Sequence, residues 1–116
     1  MNLPAARQGE VWDANLSPTS GHEQAGTRPC LIISVDSFGT GATNLAIVVP
    51  LTSKDKNVKM DVRIDPPEGG LDVPSFAMPY QVRTISRERL IRKRGSVTPS
   101  TSSTVSQRVR MLVYAA

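Results

Sequence analysis

Residues that carry chemistry are scarce in this sequence. It holds one cysteine, Cys30, and one histidine, His22. A lone cysteine cannot form an internal disulfide, so nothing argues for an oxidising compartment. One cysteine and one histidine do not build a zinc site. No carboxylate cluster has the look of a magnesium site, and there is neither a Gly-rich nucleotide loop nor a nucleophile elbow. No metal or cofactor is therefore expected. No apolar run approaches the roughly 20 residues of a membrane span. The start of the chain, MNLPAARQGE, lacks the apolar core of a secretion signal. A cytoplasmic chain with no membrane partner is the default. Aromatic residues make up only 4% of the sequence, which leaves few flat surfaces for stacking.

What is present suits a small β fold. The 116 residues are expected to form a single domain, 1–116. Nine prolines and eight glycines imply many turns and short strands. A formal net charge of +4 suits an anionic partner.

The chain is organised around Gly21–Pro29, GHEQAGTRP, which runs directly into the apolar CLIIS. His22, Glu23, Gln24 and Arg28 place an imidazole, a carboxylate, an amide and a guanidinium within a few residues. Gly21 and Gly26 allow sharp turns between them. Pro29 biases Arg28 toward extended backbone at the mouth of a strand. The ordinary alternative is a polar surface turn. Cys30, inside the apolar run, reads as a small buried hydrophobe and not as a nucleophile.

In chain order, residues 1–6 read as a loose arm and GEVWDAN at 9–15 as the first strand, with Trp12 in the core or flanking the loop. Residues 29–36 make the second strand, and SFGTGATN at 37–44 is a turn. LAIVVPL at 45–51 is a strand buried on both faces, with Pro50 marking an edge, a bulge or its end. Thr52, Ser53 and Lys54 follow as either an anion site or an ordinary turn. VKMDVRID at 58–65 alternates as a half-buried strand. A PP- and GG-containing loop at 66–73 leads to short strands at 75–78 and 80–86. Ser86 caps a single helical turn. Thr98 as N-cap and Pro99 at the first position open a C-terminal helix, with Val105, Val109, Leu112, Val113 and Ala116 on its apolar face.

Six of the basic residues lie between Arg83 and Arg94, with one acid, Glu88, among them. That strip is either a footprint for a phosphate backbone or a solvated face whose arginines pair with nearby acids, Glu88 or the 65–72 loop.

One reaction needs little from such an inventory. RNA carries its own nucleophile, the ribose 2′-OH, and attack on the adjacent phosphate requires a proton acceptor, a proton donor and positive charge at the phosphorane oxygens. Arg28 can supply the charge, Thr52 a hydroxyl donor, and His22 or Glu23 a proton relay. Trp12, Phe76 and Tyr80 are the candidate stacking platforms.

RQGEVWDANLSPTSGHEQAGTRPCLIIS, then LAIVVPLTS, then QVRTISRERL, in that order and spacing, resemble the MazF/PemK toxins of bacterial toxin–antitoxin systems. The likeness spans almost the whole chain. It implies a small, strongly twisted antiparallel SH3-like barrel with a short helical turn and a C-terminal helix. It also implies a homodimeric, metal-independent, sequence-selective endoribonuclease. Such an enzyme cleaves single-stranded RNA to 2′,3′-cyclic phosphate and 5′-hydroxyl ends, and an antitoxin with an acidic segment neutralises it. By this resemblance Arg28 and Thr52 are the catalytic pair, with His22 and Glu23 second. Gln24, Thr27, Ser53, Lys54, Tyr80, Gln81 and Arg83 are expected to contact RNA. One branch of the family has an Arg-Cys-Asp segment that supplies acid and base groups; here Met78-Pro79-Tyr80 stands in its place, so that scheme does not transfer. The fold is shared with gyrase-poisoning toxins such as CcdB, and a binder of that kind is the competing reading. Such a binder has no need of Arg28 beside Thr52.

Overall fold

A computed structural model describes residues 3–18 and 20–114. Seven strands, all antiparallel where they pair, carry the fold: β1 (Glu10–Asn15), β2 (Thr27–Ile32), β3 (Leu45–Thr52), β4 (Val62–Ile64), β5 (Ser75–Ala77), β6 (Arg83–Ser86) and β7 (Leu90–Ser96). The hydrogen-bonded order is β4-β5-β3-β2-β1-β7, with β6 also on β3. A short helix α1 (Asp36–Gly39) follows β2, and a long helix α2 (Pro99–Val113) ends the described chain. The antiparallel β architecture with its helical turn and C-terminal helix is as expected, but the ladder does not close on itself. A one-turn 3-10 segment, Glu68–Gly70, packs against β7 at one end of the ladder. Gly70 sits at φ +67°, and a Cβ there would fall 2.0 Å from the Arg94 carbonyl oxygen. Only glycine permits this approach of the turn to β7.

The two continuous apolar runs are β2 and β3, and each is buried on both faces. Cys30 and Ile32 face one core with Ala14, Ala46, Val48, Ile85 and Leu90. Leu31 faces the other with Val11, Val49, Leu51, Ile64, Leu71, Val97 and Val105. Alternate residues of one strand thus supply opposite cores, which is why neither run shows polar alternation. Pro50 lies inside β3 and not at its end. It pairs in register with Cys30, and its carbonyl accepts the Met78 amide at 3.0 Å. The proline falls between the stretch of β3 that pairs with β6 and the stretch that pairs with β5, so its missing N–H interrupts no ladder.

Several expectations need correction. The N-terminal arm is not loose throughout: Ala6 is fully buried, and its amide donates to the Gly39 carbonyl at 3.0 Å. Residues 37–44 include most of α1. The alternation from Val58 yields a strand only at Val62–Ile64, because the Asp61 amide closes a turn onto the Val58 carbonyl. The strand expected from Tyr80 begins at Arg83, after a 3-10 turn at Pro79–Gln81. The capped turn at Ser86 is present, its hydroxyl accepting the Glu88 amide. The α2 cap is also as read, with Thr98 accepting the Thr101 amide and Pro99 at the first position. Of the apolar face expected on α2, Val105 is buried and Val109 packs against the core, whereas Leu112 and Val113 are exposed; Ala116 lies outside the described residues.

Candidate active site

Arg28 and Thr52 reach one place because of strand register. β2 and β3 pair at Cys30↔Pro50, Leu31↔Val49 and Ile32↔Val48. Continuing that register by two residues sets Arg28 across from Thr52, and antiparallel partners project to the same face. The ladder stops before them because β3 turns to β5, where Leu51 and Thr52 pair with Ala77 and Phe76. The splayed strand ends open a cavity of about 330 Å³. Thr27, Arg28, Thr52 and Ser53, at the ends of β2 and β3, are part of its lining. Leu71, Asp72, Val73, Ser75 and Arg94 complete the walls with Pro29 and Leu51.

The two polar groups are pre-oriented. Arg28 Nε donates to the Ala25 carbonyl at 2.9 Å, which fixes the guanidinium plane. Among the described residues its two Nη groups have no hydrogen-bond partner, so the forked end is available to an anion. Thr52 is only 5% exposed. Its Oγ1 accepts the Lys54 amide at 3.2 Å. With that acceptor position occupied, its O–H proton remains as a donor.

The Gly21–Gly26 loop is built as the sequence suggests, with φ +62° and +77° at its two glycines. His22 and Glu23 are exposed on it and lie outside the cavity lining. The Glu23 carboxylate accepts from both the amide and the hydroxyl of Ser20, so it folds the loop tip. The loop is tied down from the 3-10 turn and β6. Gln81 accepts the Gln24 amide at 3.3 Å and donates to the His22 carbonyl at 3.0 Å. Arg83 donates to the carbonyls of Gln24 (3.0 Å) and Leu16 (3.4 Å). These two side chains act as loop anchors in the free protein. Gln24 Nε2 lies 3.8 Å from the Met78 sulfur. Ser53 and Lys54 are exposed beside Thr52.

Of the three aromatic candidates, Phe76 is buried under Arg63, and Trp12 packs on the core while its indole donates to Glu10 at 3.1 Å. Tyr80, 39% exposed, keeps an accessible ring. Partial burial and the neighbouring Asp61 carboxylate push its hydroxyl up to about 12, so it stays protonated at neutral pH. Burial pushes the Cys30 thiol up to about 12 as well, which removes it as a nucleophile.

The basic strip is built into the fold. Arg87 is buried, and its guanidinium donates to the carbonyls of Pro4, Gly39 and Gly41 and to the Asn44 side chain at 2.9–3.1 Å. Arg89 donates to the Asn15 and Ser17 carbonyls. Arg92 and Arg94 both pair with Asp13, and Lys93 pairs with Glu10 at 2.9 Å. Together with Arg83, all six basic groups have protein partners. The acids are Asp13, Glu10 and Asp72, not Glu88. Asp72 and Arg94 are the charged cavity residues that sequence reasoning missed, along with Leu71, Val73 and Ser75; the only signal for the charged pair was membership of the acidic 65–72 loop and the basic strip.

The antiparallel sheet with one C-terminal helix is the fold of the small MazF-like β toxins. The fold matches the crystal structure of MazF from Deinococcus radiodurans with a TM-score of 0.84 over 97% of this chain and 98% of that one, at 24% identity. A mycobacterial endoribonuclease in complex with its cognate antitoxin matches with a TM-score of 0.72 at 22% identity, covering 97% and 95%. In sequence, residues 7–113 match the PemK-like, MazF-like toxin family of type II toxin–antitoxin systems. Endoribonuclease MazF9 of Mycobacterium tuberculosis is 32% identical over 110 residues, 90% of this chain and 93% of that protein. The chain belongs to the PemK-like, MazF-like toxin family.

Proposed function

We propose that this protein is the toxin of a type II toxin–antitoxin pair and acts as an endoribonuclease on single-stranded RNA. The observation that carries this reading is the shared cavity of Arg28 and Thr52, with the Arg28 Nη groups unengaged and the Thr52 proton available. In the reaction the ribose 2′-oxygen bonds to the adjacent phosphorus and loses its proton. The bond from phosphorus to the 5′-oxygen breaks, and that oxygen gains a proton. The products are a 2′,3′-cyclic phosphate and a 5′-hydroxyl. Arg28 offers two parallel N–H donors to the phosphorane oxygens, and Thr52 adds a third. Charge stabilisation of this kind is worth on the order of 10²–10³ in rate per donor. His22 and Glu23, on the exposed loop outside the cavity lining, are the candidates for proton movement. Thr27 and Ser53 line the cavity; Gln24, Lys54, Tyr80, Gln81 and Arg83 are the further candidates for RNA contact, Gln81 and Arg83 through the loop they hold.

The partners on this reading are RNA, a second copy of the chain, and an antitoxin whose acidic segment competes for the same arginine. The site of action is the cytoplasm, and 1–116 acts as one domain. The test is incubation of a long transcript with the protein in chelator. Fragments bearing cyclic phosphate and 5′-hydroxyl ends are expected. Intact RNA, above all with gyrase–DNA complexes trapped by the same preparation, would overturn the assignment.

A further inference from the structure

The cavity holds one group that a phosphate site should avoid, the carboxylate of Asp72. Its side chain is 88% exposed, yet it is not left to wander. Asp72 Oδ2 accepts from Arg94 Nη2 at 2.7 Å. Arg94 is 15% exposed and is itself fixed by Asp13 at 3.2 Å and the Gly70 carbonyl at 3.4 Å. The Gly70 turn that brings this wall against β7 tolerates no Cβ. A nearly buried anchor thus holds one oxygen of an exposed anion, and among the described residues Oδ1 has no partner. Beside it Leu71 and Val73 line the cavity with apolar surface. Arg94 offsets the charge of Asp72, so the free cation of the cavity is Arg28, and a phosphodiester is drawn to Arg28 with Thr27 and Thr52 beside it, which leaves the Asp72 carboxylate for a neutral hydrogen-bond donor. The cavity, about 330 Å³, is at the small end for ligand pockets and suits one nucleoside.

We propose that Asp72, held by Arg94, reads the nucleobase next to the scissile phosphate by accepting a hydrogen bond from its exocyclic amino group. The inference rests on the endoribonuclease reading and names a specificity determinant within that site. Adenine, cytosine and guanine offer an amino donor. Uracil has a single ring N–H flanked by two carbonyl oxygens, and those oxygens repel a carboxylate. Carboxylates take this acceptor role toward amino groups in base recognition generally. Asp72 is therefore a positioning group for the base and takes no part in proton transfer.

The experiment maps 5′-hydroxyl ends over a long transcript for the wild-type protein, Asp72→Asn and Asp72→Ser, in chelator. The wild type is expected to exclude uracil at one position flanking the cut. Both variants are expected to cleave and to admit uracil at that position, with a roughly 10-fold or larger rise relative to the other bases. Asp72→Ser guards against an asparagine that reads a new edge. Unchanged base preference in both variants would overturn the inference and leave the nuclease reading intact. Loss of all cleavage in both, with folding and RNA binding retained, would place Asp72 in the proton transfer and overturn it too. An intact transcript with the wild-type protein would sink the nuclease reading itself.

Discussion

Arginine does opposite work in two regions of this molecule. In the strip from Arg83 to Arg94 every cation is engaged within the protein: carbonyls for Arg83, Arg87 and Arg89, carboxylates for Arg92, Lys93 and Arg94. At the cavity mouth Arg28 uses one nitrogen on the Ala25 carbonyl and leaves its fork open. Local charge density would choose the strip as the binding surface, and the hydrogen bonds choose the lone arginine. Concentrated charge is a guide to partners only after internal partners have been subtracted, because a guanidinium already satisfied by carbonyls has little to offer a phosphate.

The contrast can be broken by substitution. Arg28→Ala should cut RNA cleavage by on the order of 10²–10³ while leaving the melting temperature unchanged; retained cleavage, or an unfolded variant, would count against the assignment. Arg87→Ala should do the reverse. It strands several carbonyls that Arg87 satisfies, so chemical denaturation should show a loss of about 3 kcal/mol or more, and any lost activity should track the unfolded fraction. Arg83→Ala lies between these. It frees the loop at the Leu16 and Gln24 carbonyls, so cleavage should fall about 10-fold through a less ordered loop, and hydrogen exchange at residues 20–26 should rise. An unchanged exchange rate would argue that Arg83 meets RNA directly.

The edge of the strip gives smaller effects. Burial pushes the Glu10 carboxyl up, but the Arg7 amide, Lys93 and the Trp12 indole outweigh it and hold the group below its ordinary value. The folded state therefore favours the ionised form. That contribution is present above about pH 4.5, the ordinary value, and is lost as pH falls through the lower folded value. Lys93→Ala should flatten this acid limb of the stability curve; an unaltered limb would assign the shift to the Arg7 amide and Trp12 alone. Arg92→Ala removes an exposed pair and should change stability by less than about 1 kcal/mol. If it nonetheless lowers the salt dependence of RNA binding, part of the strip serves the nucleic acid after all.

How much of this could be read in advance depended on range. The loop glycines, the Ser86 turn and the Thr98-Pro99 helix start are local devices, each written within a short stretch of chain, and all three are present. β7 escaped notice because LIRKRGS has no alternation that marks a buried face. It is a strand because β1 pairs with it from Glu10↔Ser96 to Ala14↔Leu90 across two register shifts. The strand expected at 58–65 lost its first half for the converse reason: Val58 and Met60 fit the period, but a turn at Val58–Asp61 offered their backbone a nearer partner.

The family, the buried strands β2 and β3, and the loop that ends in Arg28 were determined by the chain alone, since each rests on residue type and close spacing. Tertiary structure decided which cations were left for a ligand, that Arg28 and Thr52 would meet where paired strands splay, and that Asp72 would line the same cavity. Those outcomes depend on register and on contacts between distant segments, and spacing along a sequence carries no distance between segments that only folding brings together.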